Sequence, residues 1–326
     1  MKAIVITKPG GPEVLQLQEV EEPKTKPDEI LVKVYAAGLN RGELAQRQGL
    51  YPAPPGTRND IPGLEFSGIV EATGPDTSLY KKGDRVMGIL PGCGYAEKIV
   101  TPEKMAMPIP KNFSFDEAAA IPEVFLTAYD ALENRLHLKK GEKILIHAVG
   151  SSVGLAALQL AKLAGTFVFA TGSREKIEKA MKRGCDVGID YQSKDFAAAI
   201  LEATQNRGVE AILDFIGASY FEKNIAALAI QGRMVLVGLL GGTKAKMDLR
   251  TMMNKRLTLV GTVLRSRSIK EKIALTQDFQ KKILPLFEKG DIKPIIDTIF
   301  NFKETAKAHA YMESNKNFGK IILRIQ

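Results

Sequence analysis

Ile144-Leu145-Ile146-His147-Ala148-Val149-Gly150-Ser151-Ser152-Val153-Gly154-Leu155-Ala156-Ala157 is the stretch whose reading decides the fold. Residues 143–148 form an apolar run of strand length, and residues 153–164 carry apolar side chains at helical spacing up to Gly165. A turn of small residues joins them. Such a turn lets backbone amides approach a pyrophosphate, and the positive end of the helix attracts its charge. With Gly154 as the last glycine of G-x-G-x-x-G, the other two glycine positions hold Val149 and Ser151. The match is partial, and alone it describes an ordinary strand-to-helix turn equally well.

Working outward, residues 166–170 predict a second strand and 174–183 a charged helix. Residues 211–216 and 233–238 predict further strands, with a helix near 221–229 between them. Alternating strands and helices, the strands apolar throughout, predict an α/β fold: a Rossmann-type, doubly wound parallel sheet covered on both faces. Its crossovers should be right-handed. The first third reads differently. It is rich in Gly and Pro, has strand-like runs at 30–35 and 68–72, and carries turn signals at Pro9-Gly10-Gly11-Pro12 and Lys82-Gly83-Asp84. A helical stretch over 270–288 and a terminal strand over 320–325 close the chain. The expected division is a β-rich domain made of 1–123 and 269–326, and a dinucleotide-binding domain over 124–268.

The strand at 166–170 bears on the cofactor. It leads into Thr171-Gly172-Ser173-Arg174, where an NAD site ordinarily has Asp or Glu for the ribose hydroxyls. Here a hydroxyl and cations, Ser173, Lys176 and Lys179, suit a 2′-phosphate, and Glu175 is expected to lie along the helix surface. NADPH is therefore expected over NADH.

Bulk composition narrows the class. A chain of 326 residues exceeds one ordinary core, so two domains are expected. With 45% hydrophobic and 25% charged residues it has a globular profile, and no apolar run is long enough to span a bilayer. The first seven residues lack a signal peptide's apolar region and read as a strand. Two distant cysteines, Cys93 and Cys185, make no disulfide framework, which points to a reducing, cytoplasmic setting. The net charge of +9 has no clustered basic block and no tryptophan behind it, so nucleic-acid binding is not expected.

Several motifs in order then resemble the zinc-free quinone oxidoreductase branch (zeta-crystallin-like) of the medium-chain dehydrogenase/reductase superfamily. They are Lys8-Pro9-Gly10-Gly11-Pro12-Glu13, Ala37-Gly38-Leu39-Asn40-Arg41, Gln46-Arg47-Gln48-Gly49-Leu50-Tyr51-Pro52, Gly63-Leu64-Glu65-Phe66-Ser67-Gly68, Ala118-Ala119-Ala120-Ile121-Pro122-Glu123, Leu264-Arg265-Ser266-Arg267 and Met312-Glu313-Ser314-Asn315-Lys316-Asn317. The resemblance covers essentially the whole chain. It implies a GroES-like β domain built from both chain ends, with the Rossmann domain inserted. It also implies a homodimer joined at Rossmann sheet edges, here near 257–263; pairing would protect an apolar edge strand. Ser152 stands where that family commonly has Gly.

The resemblance further implies site residues. Asn40 and Tyr51 would line the nicotinamide and acceptor pocket, Tyr51 donating a hydrogen bond, gating access or simply packing. Thr127 would hold the carboxamide, and Ser151, Ser152 and Val153 the pyrophosphate. Ser173, Lys176 and Tyr191 would surround the 2′-phosphate. Gly217, Gly238 and Leu239 would sit at strand ends, and Leu264 and Asn317 would close the cofactor from the other side.

A metal is not expected. Leu64 stands where the alcohol dehydrogenase relatives carry a His ligand, Cys93 and Cys185 are isolated, and His137 and His309 read as solvated helix-surface residues. His147 reads as packed scaffold. Without a Lewis acid, a simple ketone or alcohol is a poor substrate, whereas a quinone or electron-poor enone needs less polarisation. The leading expectation is NADPH-dependent quinone reduction by hydride or electron transfer. An enone or enoyl-thioester reductase, or a non-catalytic NADPH- and RNA-binding protein, are the alternatives. No dedicated acid–base pair stands out, so the final proton is expected from water. Arg265 and Arg267 read as surface charges near the dimer edge.

Overall fold

The computed structural model describes every residue from Met1 to Gln326. The chain forms two compact units, one of Thr127–Val263 and the other of Met1–Leu126 with Leu264–Gln326.

In the central unit the six strands are β1 (Lys143–Ile146), β2 (Phe167–Gly172), β3 (Val187–Asp190), β4 (Val209–Asp214), β5 (Leu228–Leu236) and β6 (Thr258–Gly261). All neighbours are parallel, in the spatial order β3-β2-β1-β4-β5-β6. The order reverses between β1 and β4, and ligands of such sheets bind outside the carboxyl ends of the strands at that point. Helices α1 (Ser152–Leu163), α2 (Arg174–Met181), α3 (Phe196–Ala203) and α4 (Phe221–Ala227) alternate with the strands. One core gathers Leu145, Phe169, Ile189, Phe196, Ile200, Ile212, Ile225 and Met234. Each such side chain contributes about 1.5–3 kcal/mol by leaving water.

β5 begins five residues before the predicted strand. Leu228 already pairs with Val209, and the extra length is taken up by a register shift and a left-handed Gln231. Periodicity does not register such an irregularity. The predicted helix at 270–288 is in fact two, Ile269–Lys282 and Leu284–Lys289. Pro285 explains the break: it has no N–H to continue the first helix, but it is tolerated in the first turn of the second.

The other unit is a GroES-like β structure. Its seven-stranded sheet runs Ile296–Asn301, Lys320–Arg324, Glu29–Leu39, Glu65–Thr73, Arg85–Ile89, Ala106–Pro108, with Lys98–Pro102 also on Glu29–Leu39. The C-terminal strand pairs antiparallel with Glu29–Leu39, Ile321 opposite Leu39. This register sets Lys320 beside Asn40 at the strand end. Glu65–Thr73 lies on the other side of the same long strand, with Ser67 opposite Ala36, so Glu65 arrives at the same place. Gly38 lies between them: a side-chain carbon there would overlap the Glu65 carboxylate and the Lys320 stem.

Candidate functional site

In the central unit, Ser151 is the N-cap of α1 and its hydroxyl oxygen accepts from the Gly154 amide at 3.1 Å. Its proton is left to donate outward. The amides of Ser152 and Val153, in the first turn of α1, precede the first intrahelical bond and point to the N-terminal side. Gly154 packs the helix onto the strand: a side-chain carbon there would lie 2.7 Å from the Ala148 carbonyl oxygen and 2.8 Å from Val149 Cα. Among the three fingerprint positions, then, the one that needs glycine for helix–strand packing has it.

The end of β2 meets this turn. The Val149 amide donates to the Thr171 carbonyl at 3.0 Å. The Lys176 stem lies across Gly150, its Cδ within 2.6 Å of where a Gly150 side chain would begin. Ser173 is the N-cap of α2 but does not cap it with its side chain. Tyr191 is exposed, and its amide donates to the Gly172 carbonyl at 3.3 Å. Ser151, Ser152, Val153, Ser173, Lys176 and Tyr191 thus all follow the carboxyl ends of β1, β2 and β3, which are neighbours in the sheet. No acid competes at the end of β2: Glu175 accepts from Lys179 at 2.6 Å on the solvent face of α2, and that bond holds its carboxyl below the ordinary range.

Gly217 and Gly238 follow β4 and β5. Gly217 has φ +80°, and a side chain there would meet Leu239 Cδ2 at 2.9 Å. One at Gly238 would meet the Phe215 carbonyl oxygen at 2.9 Å. Thr127 is half-buried on the helix Pro122–Tyr129.

His147 lies behind the turn between β1 and α1, fully buried. Asn224 donates its amide to Asp214 at 3.1 Å, so its oxygen accepts from His147 Nε2 at 2.7 Å. His147 Nδ1 then accepts from the Thr171 hydroxyl at 2.8 Å. Burial drives the imidazole pKa down to about 4, so it is a neutral brace between β1, β2 and α4.

In the GroES-like unit, Asn40 belongs to a buried polar network. Its amide nitrogen donates to Glu65 at 2.9 Å, and its oxygen accepts from Lys320 Nζ at 2.5 Å. Lys320 and Glu65 form an ion pair with side chains 1% and 0% exposed. Glu43 closes a capping box on Asn40 and accepts from the Leu64 amide at 3.0 Å. Glu65 also holds the Glu123 amide at 2.9 Å. Burial raises Glu43 to about 7 and Glu123 to about 8, with the Glu65 charge adding to both. Asn40 therefore orients this network, and its side-chain donors and acceptor are committed to it. Glu43, Glu123 and Lys320 are not among the site residues expected from the sequence, although charged residues in apolar β-rich surroundings are the signal for them.

Tyr51 packs beside Gly42 and Leu64, and the Arg265 guanidinium sits 4.9 Å from its ring centre. Burial pushes the phenol up to about 12. Arg265 is not the surface charge its sequence context suggests. It is 3% exposed and donates to Pro91 O, Tyr51 O and Gln46 Oε1 at 2.7, 3.0 and 2.8 Å, acceptors distant in sequence. His309 is likewise buried rather than solvated, set between Arg47 and the Tyr95 ring. Its helix, Thr305–Glu313, covers the core formed by Ile4, Leu39, Tyr95 and Met312, an inward face that helical spacing alone does not reveal. Leu264 and Asn317 are both buried, Asn317 donating to the Gly319 carbonyl at 2.9 Å. No group of three or more His, Cys, Asp or Glu side chains is placed to hold a metal ion. No helix is long and apolar enough to cross a membrane.

Comparison with known proteins fits this architecture. Residues 26–111 match the alcohol dehydrogenase GroES-like domain and residues 152–299 the zinc-binding dehydrogenase family. The chain is 31% identical to bovine quinone oxidoreductase-like protein 2, covering 96% of this chain and 89% of that one. It is 32% identical to rat quinone oxidoreductase, covering 99% and 97%. Among solved structures, the CurK enoyl reductase superposes with TM-score 0.90 at 27% identity, covering 100% and 99%. A mycobacterial protein solved with NADPH superposes with TM-score 0.88 at 27% identity over the full length of both. The chain is an oxidoreductase of the medium-chain dehydrogenase/reductase superfamily, and its relatives include proteins named quinone oxidoreductase.

Proposed function

We propose that this oxidoreductase reduces quinones with NADPH and without a metal. The observation that carries the cofactor choice is Lys176 lying across the phosphate turn, next to Ser173, with Glu175 tied away to Lys179. The turn also fits a dinucleotide by shape, since Gly154 leaves the backbone bare where a side chain would collide. Ser151, Ser152 and Val153 hold the pyrophosphate; Ser173, Lys176 and Tyr191 hold the 2′-phosphate. Thr127, Gly217, Gly238, Leu239, Leu264 and Asn317 complete the cofactor set. NADPH supplies the hydride; the chain orients donor and acceptor and keeps water out. Asn40 and Tyr51 belong to the acceptor side, Asn40 by fixing the buried network and Tyr51 by its protonated hydroxyl.

The absence of converging metal ligands supports a metal-free reaction, and the quinone oxidoreductase relatives support the acceptor. The half-exposed edge strand β6, unpaired on its outer side within the chain, supports a homodimer through sheet edges. A cytoplasmic site fits the two free cysteines. The second reading, an enone or enoyl-thioester reductase, is favoured by the likeness to CurK.

The test is cofactor oxidation by purified protein, followed by absorbance, with NADPH or NADH against an ortho-quinone and, separately, an enoyl thioester. The expected result is NADPH-selective quinone reduction that survives a zinc chelator. Turnover of the thioester alone moves the assignment to the second reading, and reversible loss with the chelator overturns the metal-free chemistry.

A further inference from the structure

Thr171, His147, Asn224 and Asp214, each at most 1% exposed, form one unbroken chain of hydrogen bonds at the carboxyl ends of the central sheet. The Asp214 carboxylate can only accept, and it takes the Asn224 side-chain amide at 3.1 Å. That turns the Asn224 oxygen toward His147 Nε2–H at 2.7 Å and leaves Nδ1 to accept from the Thr171 hydroxyl at 2.8 Å. The chain therefore runs in one direction, from Thr171 to Asp214. The rings of Phe196 and Tyr220 stand against the imidazole, 4.9 and 5.0 Å between centres, and hold its plane. Both ends of the chain reach backbone next to residues assigned above to the cofactor. Thr171 precedes Gly172 and Ser173, and its carbonyl accepts the Val149 amide at 3.0 Å. Asp214 accepts the Ile216 amide at 2.7 Å and the Gly217 amide at 3.2 Å, and so shapes the left-handed turn at Gly217. In the middle, His147 is followed by Ala148 with φ +45°, a left-handed conformation that a residue with a Cβ keeps only where its surroundings impose it. The Ala148 carbonyl accepts the Ser151 amide at 2.9 Å, so this bend opens the turn into α1. The chain ties together β2, β1 and β4, which are neighbours, and the strand order reverses between β1 and β4. Sheets of this kind bind ligands at that point.

We propose that His147 is a positioning residue for the dinucleotide: through Thr171 on one side and Asn224 and Asp214 on the other, it sets the turn into α1 and the turn at Gly217 in their binding geometry before the cofactor arrives. The inference rests on the dinucleotide-binding reading above, and every residue in it belongs to the central unit. His147 is fully buried, so it acts through the backbone that its neighbours hold. A turn held in place beforehand spares the cofactor the cost of ordering it, and that saving appears as affinity. The two turns serve the part of the dinucleotide that NADPH and NADH share. The chain should therefore strengthen both alike, in contrast to Lys176, whose proposed partner is the 2′-phosphate that only NADPH carries.

The experiment measures NADPH and NADH affinity by fluorescence titration for wild type, Thr171→Val and Thr171→Ser, with Ile212→Val as a control from the apolar core of the same unit. Thr171→Val keeps the side-chain shape and removes the hydroxyl that donates to His147 Nδ1. If the turns then hold their geometry about a tenth of the time, both cofactors bind about tenfold more weakly. Thr171→Ser keeps the hydroxyl and should bind both within about twofold of wild type. Ile212→Val should lower the urea midpoint yet also bind both within about twofold. The inference is overturned by unchanged affinity in Thr171→Val, by a loss confined to NADPH, by a Thr171→Ser as weak as Thr171→Val, or by an equal loss in Ile212→Val, which would trace the effect to stability alone. Nitrogen NMR of wild type is the check that needs no variant: a proton on His147 Nε2 with Nδ1 bare supports the chain, and the opposite tautomer overturns it. A wild type that binds neither dinucleotide overturns the cofactor reading itself, a failure visible before any variant is made.

Discussion

Replacing Lys320 with Met tests the network that positions Asn40. The Met side chain fills similar volume but removes the ammonium that pairs with Glu65 and donates to Asn40 Oδ1. Both paired side chains are essentially inaccessible to water. Removing one partner of such a pair strands the other charge, at a cost of about 3–5 kcal/mol. The cost should depend on pH with a definite sign. Glu43 and Glu123 have folded-state pKa values raised to about 7 and about 8, and Lys320 pulls both down. Without it they rise further. A carboxyl whose folded pKa exceeds its unfolded value costs stability progressively as pH climbs from about 4.5, reaching the full amount above the folded pKa. The Lys320→Met deficit should therefore be greatest near pH 8 and shrink toward pH 5. The assay is urea unfolding followed by far-ultraviolet circular dichroism, since the chain has no tryptophan and urea does not screen charge. Adding Glu65→Gln to Lys320→Met should restore most of the loss, because the stranded charge is gone. A deficit below about 1 kcal/mol at pH 8, or one equal at pH 5 and pH 8, would falsify the argument.

Two further outcomes follow from the cofactor site. Lys176→Ala should weaken NADPH by roughly ten- to a hundredfold and leave NADH within about twofold, measured by fluorescence titration, because only NADPH carries the 2′-phosphate; equal losses would reject the assignment. Gly154→Val should cost at least about 1–3 kcal/mol in thermal or urea unfolding and abolish tight NADPH binding, since its side chain has no room between Ala148 and Val149; a variant binding NADPH normally would show that the helix does not need that close approach.

The sequence by itself determined the fold class and the place of the strand, turn and helix around residues 143–164. The reason is local: strand and helix periodicity across 143–164, and the small residues between, are written into neighbouring positions. The expectation of NADPH rests on an equally local stretch, Ser173 and Lys176 following directly on the strand Phe167–Gly172. The polar interior of the GroES-like unit was not legible. Asn40, Glu65 and Lys320 lie up to 280 positions apart and meet through strand pairing across Gly38, and Glu123 joins them from the start of a helix through its amide on Glu65. Arg265 and His309 were misread as surface groups because a charged or polar residue on a helix or loop is usually solvated. Tertiary structure decided otherwise by supplying Arg265 with three distant acceptors and by turning the His309 face of its helix onto the core. Which carboxyl holds a proton is likewise a tertiary property. It depends on how far each one is removed from water and on which donors reach it, and neither is encoded in any one stretch of chain.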